Sequence, residues 1–156
     1  MPHQTITILK YISVIQRNTQ RYFDSMLEQR GIGSGQQFFL LRISENPGVT
    51  MYDLSQIGNF DKGTVTKAVQ KLAEEGYVKV TVDPSDKRVR HLHVTEQAKL
   101  VIEEIYTLRN RWIDQLMTDL TPEQRDALFQ TLKTMSEYSC TGLQELCQQK
   151  ETPHES

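Results

Sequence analysis

The sequence predicts a mostly α-helical fold that carries one small β-hairpin. Three observations predict it. Apolar residues recur at three- and four-residue steps on both sides of a central segment, the period of amphipathic helices. Within that segment Val78, Val80 and Val82 alternate with Lys79 and Thr81, the period of a strand with one apolar face. Glycines and capping residues fall where one period gives way to the next.

Each element follows in order. Residues 6–30 place Ile8, Ile12, Ile15, Tyr22 and Met26 on one helical stripe, with Thr19 in the gap, until Gly31 and Gly33 stop it. Ser34 stands three residues before Gln37, a capping-box start for a helix through Phe38, Leu41 and Ile43. Asn46-Pro47-Gly48 ends that helix as a turn. Thr50 caps a short helix holding Met51, Leu54 and Ile57, which Gly58 closes. A longer helix spans 61–75, with Gly76 as its stop. The following strand turns at Asp83-Pro84-Ser85-Asp86 and returns through Arg88 and Arg90 to Leu92 and Val94, giving a two-stranded hairpin with a polar, basic tip. Helical spacing resumes at Val101, Ile105, Leu108, Trp112 and Leu116. Thr121, Pro122 and Gln124 form a second capping-box start, opening a helix with Leu128, Leu132, Met135, Leu143 and Leu146. The polar end beyond Gln148 is expected to fray.

Composition narrows the function classes. The chain has 156 residues, 37% hydrophobic and 24% charged, enough apolar material for one domain with helical arms. No run approaches the roughly eighteen apolar residues of a membrane span, and no secretory leader is expected. Two cysteines do not make a disulfide framework, which points to a reducing cytoplasm. Net charge is −2, yet residues 61–93 hold seven Lys or Arg against five acids, so the remainder carries −4. A locally basic segment on an acidic scaffold suits a polyanionic partner.

The helix over 61–75 concentrates that chemistry. At roughly 100° per residue, Val65, Ala68, Val69 and Leu72 share a narrow sector that faces a core. The opposite sector holds Gly63, Thr64, Thr66, Lys67, Gln70 and Lys71, with Lys62 beside it. Hydroxyls and amides read base edges in a major groove, and ammonium groups neutralise phosphate. A small Gly63 lets the helix N-terminus approach a sugar–phosphate backbone. A short helix, a tight turn and a longer polar-faced helix make a helix-turn-helix. A merely solvated helix face would look the same in isolation. The adjoining hairpin decides between them, because Asp86, Lys87, Arg88 and Arg90 set three cations beside that face, where an Arg suits a narrow minor groove. Double-stranded DNA is the partner this predicts.

Other constellations point nowhere stronger. Cys140 and Cys147 share one face of the last helix about 10 Å apart along its axis, too far to bond within it. They read as small residues buried at the interface between subunits, with an intersubunit redox switch as the alternative. His91 and His93 share one side of a strand but lack further ligands, so no metal site is expected; hydrogen bonding in the hairpin or a phosphate contact by His91 fits better. No nucleophile motif, Gly-rich phosphate loop or paired carboxylates appear, so neither an enzyme nor a cofactor is expected.

From about residue 34 to 99 the sequence resembles the MarR family of bacterial regulators. The resemblance is carried by 50–57, by Asp61-Lys62-Gly63-Thr64-Val65-Thr66-Lys67, by Leu72, Glu74, Glu75, Gly76 and Tyr77, by the wing Asp83-Pro84-Ser85-Asp86-Lys87-Arg88, and by Val94-Thr95. Gly63 departs from the Ser frequent there. The resemblance implies a winged helix-turn-helix over 34–95, an N-terminal dimerisation helix over 1–33, C-terminal dimerisation helices over 96–148 and a flexible tail over 149–156. It implies that residues 64, 66, 67, 70 and 71 read the major groove, and that Arg88, oriented by Asp86, is the wing-tip contact. The apolar stripes of the first and last helices fit seams of a homodimer, packing within one chain being the other reading. The family also implies a small aromatic or amphipathic effector, sought at Tyr11, Tyr22, Phe38 and Arg42. A repressor on a palindromic operator, released by that effector, is the expected function. A winged-helix protein-interaction module without DNA binding is the alternative.

Overall fold

The computed structural model describes the backbone of residues 2–151 and the side chains of residues 7–151. Helix α1 spans Pro2–Met26, followed by a 3-10 turn at Glu28–Arg30 and helix α2 over Ser34–Glu45. Strand β1 (Val49–Thr50) leads into α3 (Met51–Ile57) and α4 (Lys62–Glu74). Strands β2 (Val78–Val82) and β3 (Arg90–Val94) precede α5 (Ala98–Leu116) and α6 (Pro122–Glu151). The fold is mostly α with a small sheet, as the two hydrophobic periods predict. The chain divides into two compact units, Met1–Trp112 and Ile113–Ser156.

The first unit holds one core. Phe23 and Leu27 of α1, Leu40, Leu41 and Ile43 of α2, Leu54 of α3, Val65 and Leu72 of α4, Leu92 of β3, and Val101 and Ile105 of α5 are all buried in it. Each such aliphatic side chain contributes on the order of 1.5–3 kcal/mol by leaving water. Tyr22 stacks on Trp112 with ring centroids 4.6 Å apart, and the Trp112 Nε1–H donates to Thr19 Oγ1 at 2.8 Å. The outer helices α1 and α5 are thereby tied together beside the helix-turn-helix.

The hairpin supplies two strands of a three-stranded antiparallel sheet in the order β1-β3-β2, with β3 in the middle. Val49 pairs with Leu92 on one side of β3, and Val80 pairs with Leu92 on the other. Strand β1 is two residues long, too short for an alternation to register, so the expected two-stranded hairpin gains a strand. The alternating valines also divide differently: Val78 is buried, but Val80 and Val82 are 41% and 46% exposed. Strand β2 is an edge of the sheet, so Val80 keeps an open flank although its cross-strand partner Leu92 is fully buried.

Several boundaries shift for local reasons. The first helix ends at Met26 rather than near residue 30, because the chain tightens into the 3-10 turn and leaves through Gly31 at φ +75°. Gly33, not Ser34, caps α2: its N–H donates to Gln36 Oε1 at 3.0 Å, while the Ser34 N–H donates to Asp24 Oδ1 at 2.7 Å. Gly58 closes α3 without positive φ, and Asn59 takes the left-handed turn at φ 53°. Gly76 does stop α4 at φ +81°, where a side chain would be strained.

In the second unit, Thr121 and Gln124 cap α6 reciprocally, the Gln124 N–H donating to Thr121 Oγ1 at 3.2 Å and the Thr121 N–H to Gln124 Oε1 at 2.9 Å. Arg125 donates to Asp114 Oδ1 and to the Met117 carbonyl. Helix α6 continues through Glu151, so residues 149–151 of the expected tail are helical, and 152–156 lie outside the described residues. Among the described residues no helix is long and apolar enough to cross a membrane.

Candidate nucleic-acid interface

Helix α4 is placed by its own sequence. Val65, Ala68, Val69 and Leu72 are buried, which turns the opposite sector outward. Lys62, Gly63, Thr64, Thr66, Lys67 and Gln70 are all exposed, and Lys71 stands half-buried at the margin, its Nζ 3.2 Å from Glu75 Oε1. Asp61 starts the helix by accepting the Thr64 N–H at 2.7 Å. That backbone bond, followed by the Thr64 hydroxyl, holds the Asp61 carboxyl below its ordinary range. A Cβ on Gly63 would come no nearer than 3.4 Å to the protein, at Asp61 Oδ1. The surface above Gly63 is therefore open to an outside partner.

The two threonines differ from the sequence expectation in one respect. The Thr64 hydroxyl donates to Asp61 Oδ2 at 3.0 Å, and the Thr66 hydroxyl donates to the Lys62 carbonyl at 2.8 Å. Both protons are used within the helix, so these side chains offer lone pairs and methyl groups outward rather than donors.

The wing is built by two aspartates. Asp83 Oδ1 accepts from the Ser85 N–H, the Ser85 hydroxyl and the Asp86 N–H at 2.6–3.0 Å, folding the turn. The Ser85 hydroxyl and then His91 hold the Asp83 carboxyl far below the usual carboxylate range. Asp86 Oδ1 accepts the Arg88 N–H and its Nε–H, and Oδ2 accepts from Nη2 at 3.3 Å. The Arg88 side chain is nonetheless 91% exposed, its guanidinium oriented by Asp86 and open to an outside partner. Lys87 and Arg90 are exposed beside it.

These pieces meet in one groove. A cavity of about 580 Å³ is lined by Thr50, Met51, Tyr52 and Ser55 from the α3 side, Lys62, Val65 and Thr66 of α4, and Arg88, Val89 and Arg90 of the wing. Four residues singled out from the sequence, Lys62, Thr66, Arg88 and Arg90, thus share a lining. Tyr52 was not among them. It is 71% exposed, and its signal was its place two residues before the buried Leu54, on the outer face of α3.

The residues named for an effector do not gather in one place. Arg42 lies over the Phe38 ring at 5.2 Å and pairs with Glu45 at 2.8 Å. Glu45 also accepts the Tyr106 hydroxyl, and Arg109 lies over the Tyr106 ring at 4.8 Å. Tyr22 is engaged elsewhere, by Trp112 and by the Leu108 carbonyl, and Tyr11 is exposed. His91 bonds within the wing and to the Gly48 carbonyl, as the hydrogen-bonding expectation has it. Cys140 is half-buried and Cys147 exposed.

A profile of the MarR family matches residues 34–89. The chain is similar to a solved structure of a MarR transcriptional regulator from Methanosarcina mazei Go1, with 33% identity, 86% of this chain and 97% of that one covered, and a TM-score of 0.80. It is 25% identical to the HTH-type transcriptional regulator BilQ of Clostridium symbiosum, over 92% of this chain and 98% of the relative. Its fold matches that of a putative MarR family transcriptional regulator from Listeria monocytogenes complexed with 26mer DNA, at 22% identity and a TM-score of 0.83, covering 95% and 97% of the two chains. A polar-faced second helix beside a cation-tipped wing, matched over the whole fold by such relatives, places this chain in the MarR family of winged helix-turn-helix transcriptional regulators.

Proposed function

We propose that the protein binds double-stranded DNA sequence-specifically, as a homodimer in the cytoplasm, and represses transcription from a palindromic operator. The observation that carries this reading is the groove in which Lys62 and Thr66 of α4 meet Arg88 and Arg90 of the wing. Residues 62, 63, 64, 66, 67, 70 and 71 would enter the major groove, while Arg88, set by Asp86 and flanked by Lys87 and Arg90, would reach the adjacent minor groove. The complex of the Listeria relative with 26mer DNA supports the assignment. Two such faces related by a two-fold axis would read half-sites about one helical turn apart.

An effector would release the operator by binding better to a geometry that does not fit DNA. Phe38 and Arg42 remain the candidates, now joined by Tyr106 and Arg109. Among the described residues, Arg42 Nε and Arg109 Nε are buried donors without a hydrogen-bond partner, which the acidic group of an amphipathic compound would satisfy.

A mobility-shift titration of wild type, Arg88→Ala and Lys67→Ala at two salt concentrations tests the DNA reading, on operators selected from random duplexes. Each substitution is expected to weaken binding by roughly 1–3 kcal/mol, Lys67→Ala also flattening the salt dependence. Equal affinity in all three proteins would refute it.

A further inference from the structure

His91 is the second residue of β3, and acceptors occupy both of its ring nitrogens. Nδ1 lies 2.9 Å from the Gly48 carbonyl oxygen, and Nε2 lies 2.8 Å from Asp83 Oδ2. Neither partner has a proton to give: a peptide carbonyl only accepts, and the Asp83 carboxylate is strongly held in its ionised form by the wing turn. A neutral imidazole carries a single N–H, so it serves one of the two contacts and leaves two lone pairs opposed at the other. Both contacts are hydrogen bonds only when the ring is an imidazolium.

The contacts continue to the wing tip. Asp83 takes His91 on Oδ2 while its Oδ1 accepts the Asp86 N–H, and Asp86 in turn holds Arg88. One line of bonds therefore runs from the Gly48 turn, through His91, Asp83 and Asp86, to the exposed Arg88 of the wing. Among the other charged groups near the ring, Asp53 of α3 also favours the imidazolium. Arg90 precedes it on the strand, and His93, two residues on, faces Gly48 with Cε1 3.5 Å from where a Cβ there would stand.

We propose that protonated His91 is a positioning residue: it locks the wing turn to the Gly48 turn and sets Arg88 for the duplex, so that DNA affinity falls as His91 loses its proton. This rests on the DNA reading above. The Asp83 carboxylate, followed by the Gly48 carbonyl, raises the His91 pKa above its ordinary 6.5. The sign follows from that direction: the latch is complete below the ordinary value and is lost as pH rises through the raised one. Linkage is reciprocal, so DNA raises the proton affinity of His91 by the factor that the proton adds to DNA affinity.

The test measures duplex affinity between about pH 5.5 and 8.5, a span that brackets the ordinary histidine value, for wild type, His91→Gln, Asp83→Asn and His93→Gln. Imidazole NMR titrations of the same proteins are recorded without DNA. Wild type and His93→Gln are expected to lose about threefold to tenfold in affinity across the range, the span of a half- to one-unit coupling. Asp83→Asn should bind with a flat pH profile, because its amide donates to Nε2 of a neutral ring whose Nδ1–H still serves Gly48. His91→Gln should also be flat. A slope in Asp83→Asn equal to wild type would overturn the proposal, since the charge of His91 alone would then be acting. So would a His91 pKa at or below 6.5 in the free wild type. Absence of duplex binding by all four proteins overturns the functional reading beneath it, a failure told apart by the DNA-free titrations.

Discussion

Asp61 decides where the exposed face of α4 begins. Its carboxylate accepts the Thr64 N–H and the Thr64 hydroxyl, meeting one of the orphan donors of the first turn and placing a negative charge at the positive end of the helix dipole. Because those bonds lower its pKa, the stability it contributes is present above the unfolded carboxylate value and disappears as pH falls through the folded one. Asp61→Ala is therefore expected to be less stable than wild type in urea at neutral pH, and the two midpoints should converge well below pH 3.8. A constant difference across that range would assign the loss to something other than the ionised cap. Caps of this kind were legible in the sequence at Thr50 and Thr121, because the group each one satisfies lies three residues on. Ser34 was misread for the opposite reason. Its N–H is met by Asp24, ten residues back across a turn that no local pattern encodes. Likewise, the use of the Thr64 and Thr66 hydroxyl protons within α4 depends on rotamers, to which a helical wheel is blind.

The elements follow the same division between local and distant causes. The inner face of α4 was legible because four apolar residues at helical spacing have one way to leave water, and all four are buried. Leu72 is 0% exposed at the centre of that face, so Leu72→Ala is expected to destabilise by about 2–5 kcal/mol through lost transfer and cavity terms. The urea midpoint should fall with the m-value unchanged; a change in m would mean that the denatured or native state had altered instead. The wing was legible as a hairpin from its turn residues, yet its packing was not. Val80 and Val82 have the alternation of a half-buried strand, but β2 is an edge of the sheet, a position that alternation does not encode, and Val80 stays exposed beside the buried Leu92. Strand β1 escaped because pairing with Leu92 and His91 is a property of β3, some forty residues away. Tyr52 escaped for a related reason: its proximity to Arg88 and Arg90 arises only when the wing folds back beside α3.

At the scale of the whole molecule, the distribution of exposed apolar side chains is the fact to be explained. Among the described residues none on α6 is buried, and Leu128, Phe129, Leu132, Met135, Leu143 and Leu146 stand exposed. Ile8, Leu9, Tyr11, Ile12 and Ile15 do so on α1. Apolar stripes of this extent on a single chain call for a partner. The second copy proposed above would cover them, since a two-fold pair would present two α4 faces to one duplex. Wild type is then expected to sediment at twice the 18.1 kDa chain mass, and Phe129→Asp/Leu132→Asp at the chain mass. Both positions are exposed, so the monomer should keep its helical circular dichroism. The affinity of the variant for a two-half-site operator should drop, and the slope of log affinity against log salt should fall to about half, because one face releases half the counterions. Affinity for an isolated half-site should stay near that of wild type. A wild-type chain that sediments as a monomer, or a monomeric variant that keeps the full salt slope, would mean that one face alone accounts for the binding and that the apolar stripes serve some other partner.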